Sequence, residues 1–255
     1  MKIIITGDIH GEFSIINRLI NRKQPDVLII CGDFGFWPDA SMYQSTYGYY
    51  YSAREDNFDI LEIKNQNSKI YWVPGNHEHW DNLEKEYGRR GLKPIPMKGN
   101  ENIFYCPIGS TETFNGDNFL FAGGADSVDK QHRTIGVDWF PQETLNHEDW
   151  EYIIERHKNT KIDTIISHTC PSSFEMRDTF NMKHADFSRK VLEELLQEFK
   201  PMQWYFGHWH VYKKQYKNTI WTCLDHNKGE GVWWEYYHQP CKTTSLQGVI
   251  VQNKK

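Results

Sequence analysis

Five cysteines among 255 residues, none of them spaced as C-x-x-C, leave this chain without the pattern of a clustered-thiolate zinc site. Cys31, Cys106, Cys170, Cys223 and Cys241 are scattered, and an odd number cannot all pair internally, so a reducing compartment and a cytoplasmic location are expected. Long apolar runs are also missing. Three isoleucines after Lys2 are too few for a signal-peptide core, and no later stretch approaches the ~20 residues of a membrane span, so no membrane partner is expected. Excess positive charge is absent too. The net charge of -5 argues against extended nucleic-acid binding, which accumulated basic charge drives, while short or small phosphorylated substrates remain open. No internal repeat, low-complexity linker or block of like charge marks a boundary, so residues 1–255 are expected to form one domain. What the chain does have is aromatic residues, 15% of the total, and 12 histidines, the commonest side-chain ligands of transition metals.

The opening "KIIITGDIHG" reads as a short buried strand closed by Gly7, which delivers Asp8 and His10 into a loop. "EFSIINRLINRK" then puts Phe13, Ile16, Leu19 and Ile20 on one helical face, "QPD" ends the helix, and "VLIIC" begins a second strand, giving a β-α-β unit. A third strand from about Lys69 to Val73 repeats the scheme, with a polar helix after it. An aromatic insert at about 36–51 precedes a helical stretch, "SAREDNFDILEIK". From about Ile103 short strands and turns take over, with a hairpin in "STETFNGDNFLFAGG", helices at about 142–157 and 187–199, and strands "IDTIISH", "MQWYFGH", "TIWTCLD" and "QGVIVQ". Parallel α/β units followed by a C-terminal β-rich portion predict an α/β fold of two mixed sheets face to face with helices outside.

Five strand ends carry donor side chains: Asp8 and His10, Asp33 in "CGDFG", Asn76 and His77 in "GNHEH", His168 in "ISHTC", and His208 and His210 in "FGHWH". Each residue alone reads equally well as a turn former or an ordinary strand residue, but five such placements by accident are not credible. Function in α/β sheets gathers at the carboxyl ends of strands, so these loops are expected to converge. Two divalent ions about 3.5–4 Å apart need such a set of N and O donors with a carboxylate between them. Mixed Asp, Asn and His donors suit manganese first, with iron or zinc as alternatives, rather than magnesium. His79, His132, His147, His157, His184, His226 and His238 lack this context and read as surface or packing residues.

The blocks D-x-H, G-D, G-N-H-E, a lone H and G-H-x-H, in that order, resemble the calcineurin-like metallophosphoesterases. The resemblance spans Asp8 to His210 and implies a four-layer αββα metallophosphoesterase sandwich. It further implies one metal ion held by Asp8, His10, Asp33 and His210, and a second held by Asp33, Asn76, His168 and His208, with Asp33 bridging. In that scheme Asp33 and His77 are catalytic, His77 lies near the leaving-group oxygen, and a metal-activated hydroxide attacks phosphorus. "GDIHGEF" and "GNHE" look like the phosphoprotein-phosphatase branch, but "GDFGFWPD" lacks its Asp-Arg-Gly and "GNHEHW" its Ser-Arg. Asn76, His77 and, in place of the missing arginines, Arg133 are the candidates for contacting substrate. "GGADSVDKQHRTIGVDWF" is similar to a segment of phage and bacterial members of unassigned substrate. The resulting expectation is a phosphatase acting on phosphoprotein or small phosphorylated compounds. A phosphodiesterase for nucleotides or short nucleic acid is the alternative within the class, and a binding module on the same fold is the alternative outside it.

Overall fold

The computed structural model describes residues 1–37, 67–176 and 186–240. The part of the aromatic insert beyond Trp37, the helical stretch "SAREDNFDILEIK", His184 and the strand "QGVIVQ" lie outside the described residues.

Strand β1 (Ile3–Thr6) is buried along its whole length, and its apolar run lets it face other layers on both sides. Helix α1 (Phe13–Lys23) buries Phe13, Ile16, Leu19 and Ile20, and stops where Gln24 turns left-handed and donates its N–H to the Ile20 carbonyl. Parallel strands β2 (Val27–Ile30) and β3 (Lys69–Trp72) follow, then α2 (Trp80–Tyr87), β4 (Ile95–Met97) and β5 (Asn100–Tyr105). The expected hairpin forms as β6 (Thr111–Phe114) and β7 (Asp117–Ala122). After it come α3 (His147–His157), β8 (Thr164–Ser167), α4 (Phe187–Phe199) and β9 (Gln203–Phe206). Three short strands complete the described elements: β10 (Lys213–Tyr216), β11 (Ile220–Cys223) and β12 (Trp234–Tyr236).

These strands make two six-stranded sheets, β12-β1-β2-β3-β5-β4 and β10-β11-β9-β8-β7-β6. Each has four parallel strands at its centre and an antiparallel strand at either edge. The two-residue period of a strand sorts the core. Ile3, Ile5, Val27 and Ile29 of one sheet share a buried cluster with Phe119, Phe121, Ile166 and Tyr205 of the other, so this face joins the sheets. Ile4, Leu28 and Ile70 point the other way and share a cluster with the α1 residues, while Ile165 and Trp204 belong with Val191, Leu192 and Leu195 of α4. The expected α/β sandwich, helix on sheet on sheet on helix, is therefore the fold.

One boundary differs from expectation. The helix expected from about residue 142 begins at His147, because Asn146 and Asp149 form a reciprocal capping box there. Pro141–Glu143 forms a separate 3-10 turn instead.

Candidate metal centre

The central parallel strands end on one rim, and the loops that leave them carry the donors expected from the sequence. Asp8 and His10 follow β1, Asp33 follows β2, Asn76 and His77 follow β3, His168 follows β8, and His208 and His210 follow β9. These loops turn at the donors themselves. His10, Asp33, His208 and His210 have φ of 47°, 46°, 68° and 50°, four of the seven non-glycine residues with positive φ among the described residues. A left-handed L-residue costs roughly 1–2 kcal/mol, so local strain collects where the side chains converge. Two motif glycines make the close approach possible. A Cβ on Gly207 would collide with Asp8 Oδ1, and one on Gly75 with Asp33 Oδ1, so the glycine before each donor leaves room for a carboxylate from another loop.

Three overlapping groups could each hold an ion, their donor atoms within 4.8 Å of one another: Asp8, His10 and His210; Asp8, Asp33 and His168; His10, Asp33 and His77. His210 Nε2 lies 3.2 Å from Asp8 Oδ2 and 3.2 Å from His10 Nε2. His168 Nε2 lies 3.3 Å from Asp33 Oδ1 and 3.0 Å from Asn76 Oδ1. His168 Nδ1 is 2.8 Å from the Cys31 carbonyl, which can only accept, so Nδ1 donates and Nε2 is turned toward Asp33 and Asn76. Backbone amides hold both acids: His208 N donates to Asp8, and His77 N donates to Asp33 Oδ1 at 3.0 Å. The His208 ring takes no part in the three groups, but its centroid is 4.9 Å from that of His168. Oxygen and imidazole donors without a thiolate fit divalent ions of the manganese, iron and zinc kind.

Two buried carboxylates set the electrostatics of this rim. Burial works against the Asp8 and Asp33 carboxylates, but His168 and the other imidazoles outweigh it and hold both below the ordinary carboxylate range. Against its own burial, His168 is raised to about 10 by Asp33 and Asp8. Asp8 likewise raises His210 against burial, whereas at His208 and His77 burial wins and pushes them down to about 3 and about 4.

Arg133 reaches the same rim. Its Nη2 lies 3.3 Å from His77 Nε2 and 2.8 Å from Asp129, and since a guanidinium only donates, His77 Nε2 accepts. The segment around Arg133 also steadies Asn76. Asn76 Nδ2 donates to Ser127 Oγ at 3.1 Å, which leaves Oδ1 for His168, while buried Glu143 accepts from Ser127 N at 2.6 Å and Trp139 Nε1 at 3.0 Å. Glu78 of "GNHEH" accepts from Gly35 N and Gly75 N, tying the Asp33 loop to the Asn76 loop, and burial raises it to about 8. Sequence reading gave Ser127, Glu143 and Glu78 no role, because only the cross-chain hydrogen bonds reveal it.

One histidine set aside as a surface or packing residue belongs here. The His226 ring lies 4.4 Å from that of His210, centroid to centroid. The overlooked signal was its place directly after the strand "TIWTCLD", as the other donors follow theirs. His79 accepts from Asn82 N at the start of α2, His147 stacks on Trp150, and buried His157 bonds the Gly109 carbonyl, which are packing and capping roles as expected.

The likeness to known proteins follows the same lines. A lariat debranching enzyme of Schizosaccharomyces pombe is 23% identical over 83% of this chain and 48% of its own length, and the human lariat debranching enzyme is 24% identical over 83% and 42%. The chain thus spans under half the length of these curated relatives. The crystal structure of phosphopantetheinyl hydrolase from Mycobacterium tuberculosis superposes with a TM-score of 0.52 at 13% identity, covering 96% of this chain and 98% of that one, a likeness of fold. Residues 1–212, from β1 through the "FGHWH" loop, match the calcineurin-like phosphoesterases, and the chain belongs to that family.

Proposed function

We propose that this protein is a cytoplasmic, binuclear-metal-dependent phosphoester hydrolase. The observation that carries this reading is the convergence of Asp8, His10, Asp33, Asn76, His168, His208 and His210 on one rim, more side chains than one ion of this kind coordinates. Asp8, His10, Asp33 and His210 would hold one ion, and Asp33, Asn76, His168 and His208 would hold the other. Manganese is the first candidate, with iron and zinc next. When bound, divalent ions supply an activated water as nucleophile and offset charge on phosphoryl oxygens.

The protein's own groups do the rest. Asn76, oriented by Ser127, presents its Oδ1 to the centre. His77 and Arg133 stand together at one edge and act on the phosphoryl group and the departing oxygen. A guanidinium beside the donors matches the dianion of a monoester, which supports a phosphatase for phosphoprotein or small phosphorylated compounds. The debranching relatives support a second reading, a phosphodiesterase for nucleotides or short nucleic acid.

The test is hydrolysis by the metal-stripped chain given manganese, iron(II) or zinc. 4-Nitrophenyl phosphate and bis(4-nitrophenyl) phosphate come first, then phosphopeptides, nucleotides, cyclic nucleotides and oligonucleotides. Metal-dependent turnover with preference for monoesters is the expected result, and preference for diesters selects the second reading. No turnover with any metal or substrate would make the chain a binding module on a hydrolase fold.

A further inference from the structure

His226 stands at the same rim as the donors but outside every donor motif and beyond residue 212, where the family match ends. Topology brings it there. It follows β11, which pairs in parallel with β9, so the chain leaves β11 beside the His208–His210 loop. The His226 ring is 4.4 Å from that of His210 and 6.4 Å from that of His10, centroid to centroid. It lies on the open side of the centre, where the His210 side chain is 41% exposed and its own 25%.

The loop that holds it is fixed to the first donor loop. Asn227 donates from its backbone to the Asp8 carbonyl and from its side chain to the Ile9 carbonyl, each at 3.1 Å, and Lys228 pairs with Glu12 at 2.6 Å. Buried Asp225 closes the loop on itself by accepting from Gly231 N at 2.8 Å. A side chain on such a loop is preorganised, which is what a binding contact needs.

The hydrogen bonding also fixes which ring nitrogen carries the proton. Lys228 N, a donor only, lies 3.1 Å from His226 Nδ1, so Nδ1 accepts and the hydrogen of the neutral ring is on Nε2. Asp225 Oδ1 is 3.9 Å from Nε2, beyond hydrogen-bond reach. The ring therefore presents an N–H donor next to the His10 and His210 edge of the centre. Resting on the hydrolase reading above, we infer that His226 is a substrate-contacting residue whose Nε2–H donates a hydrogen bond to a phosphoryl oxygen at the His210 edge of the centre.

The experiment compares the metal-loaded wild type with His226→Ala and His226→Gln. It measures metal content by elemental analysis, the Kd of inorganic phosphate by calorimetry, and KM and kcat on 4-nitrophenyl phosphate. A hydrogen bond to a charged oxygen predicts that His226→Ala keeps its metals, weakens phosphate binding and raises KM by about 10- to 150-fold, and leaves kcat nearly unchanged. His226→Gln, which retains an N–H donor, should recover part of the affinity. His226→Phe, which keeps a ring on His210 without a donor, is read in the same way as alanine should the smaller side chain not fold. Unchanged phosphate affinity overturns the assignment. Loss of metal overturns it as well, because His226 would then be a ligand or a clamp. If the wild type neither hydrolyses nor binds phosphate, the hydrolase reading falls and this assignment with it. A working hydrolase indifferent to His226 overturns this assignment alone.

Discussion

At the residue scale His77 is pulled two ways. Its position beside Asn76 and Arg133 suits an acid for the departing oxygen, yet its Nε2 accepts from Arg133, and burial, with Arg133 and His10 adding to it, pushes it to about 4 and holds it neutral at physiological pH. The two roles separate by leaving group. If His77 supplies the proton, His77→Ala keeps its metals and slows an alkyl phosphate by roughly 10²–10⁴-fold, with a smaller loss on a nitrophenyl ester whose phenolate leaves unprotonated. Equal slowing of both esters assigns His77 and Arg133 to charge stabilisation instead. Asp8, Asp33, His168 and His210 could be read from the sequence because each closes or follows an apolar strand, a local pattern. Ser127 and Glu143 could not, since Asn76 lies 51 residues from Ser127, and Glu143 bears on Asn76 by way of Ser127.

At the element scale the buried acids act in opposite senses with pH. Asp149 in the first turn of α3 is fully buried and bonds Arg89 and Arg90, while Arg89 also donates to the Gln142 and Thr144 carbonyls, so one carboxylate joins α3 to the chain after α2. Burial opposes its charge, but the two guanidinium groups and Asn146 outweigh that and lower its pKa. Its contribution is therefore present above the ordinary carboxylate value and lost as pH falls through the lowered one. Asp149→Asn removes the buried anion that Arg89 and Arg90 share, leaving them only the more exposed Glu84 and Glu148, and should cost about 3 kcal/mol in denaturant titrations at neutral pH. Glu143 is raised by burial from 4.5 to about 7. Its stabilising effect is complete below about pH 4.5 and is lost as pH rises through about 7. Glu143→Gln stays neutral, so relative to this variant the wild type should lose up to about 3 kcal/mol between pH 5 and pH 8, read from the same titrations. Helix α1 and strands β1 and β2 were readable because apolar periodicity decides them, and α4 matches the expected 187–199. Edge strands β10 and β12, "KKQY" and "WEY", were not, because both are short, neither is more than partly buried, and pairing with a neighbour makes them strands.

At the scale of the whole molecule, two sheets of like design, each with parallel strands between antiparallel edges, bring donors from five distant stretches of chain to one rim. This convergence was foreseeable from the order of apolar strands and donor loops, whereas the seating of the β11–β12 loop on the first donor loop was not, because it rests on backbone carbonyls at Asp8 and Ile9. The central claim is that Asp33 serves two ions at once. It is buried, left-handed at φ 46°, and a member of two of the three donor groups. Elemental analysis of the wild type and Asp33→Asn, each reconstituted with manganese and assayed on 4-nitrophenyl phosphate, tests it most directly. Two ions per wild-type chain are expected, with at least one lost and hydrolysis nearly abolished in the variant. Two ions in both proteins, with unchanged hydrolysis, would contradict the claim.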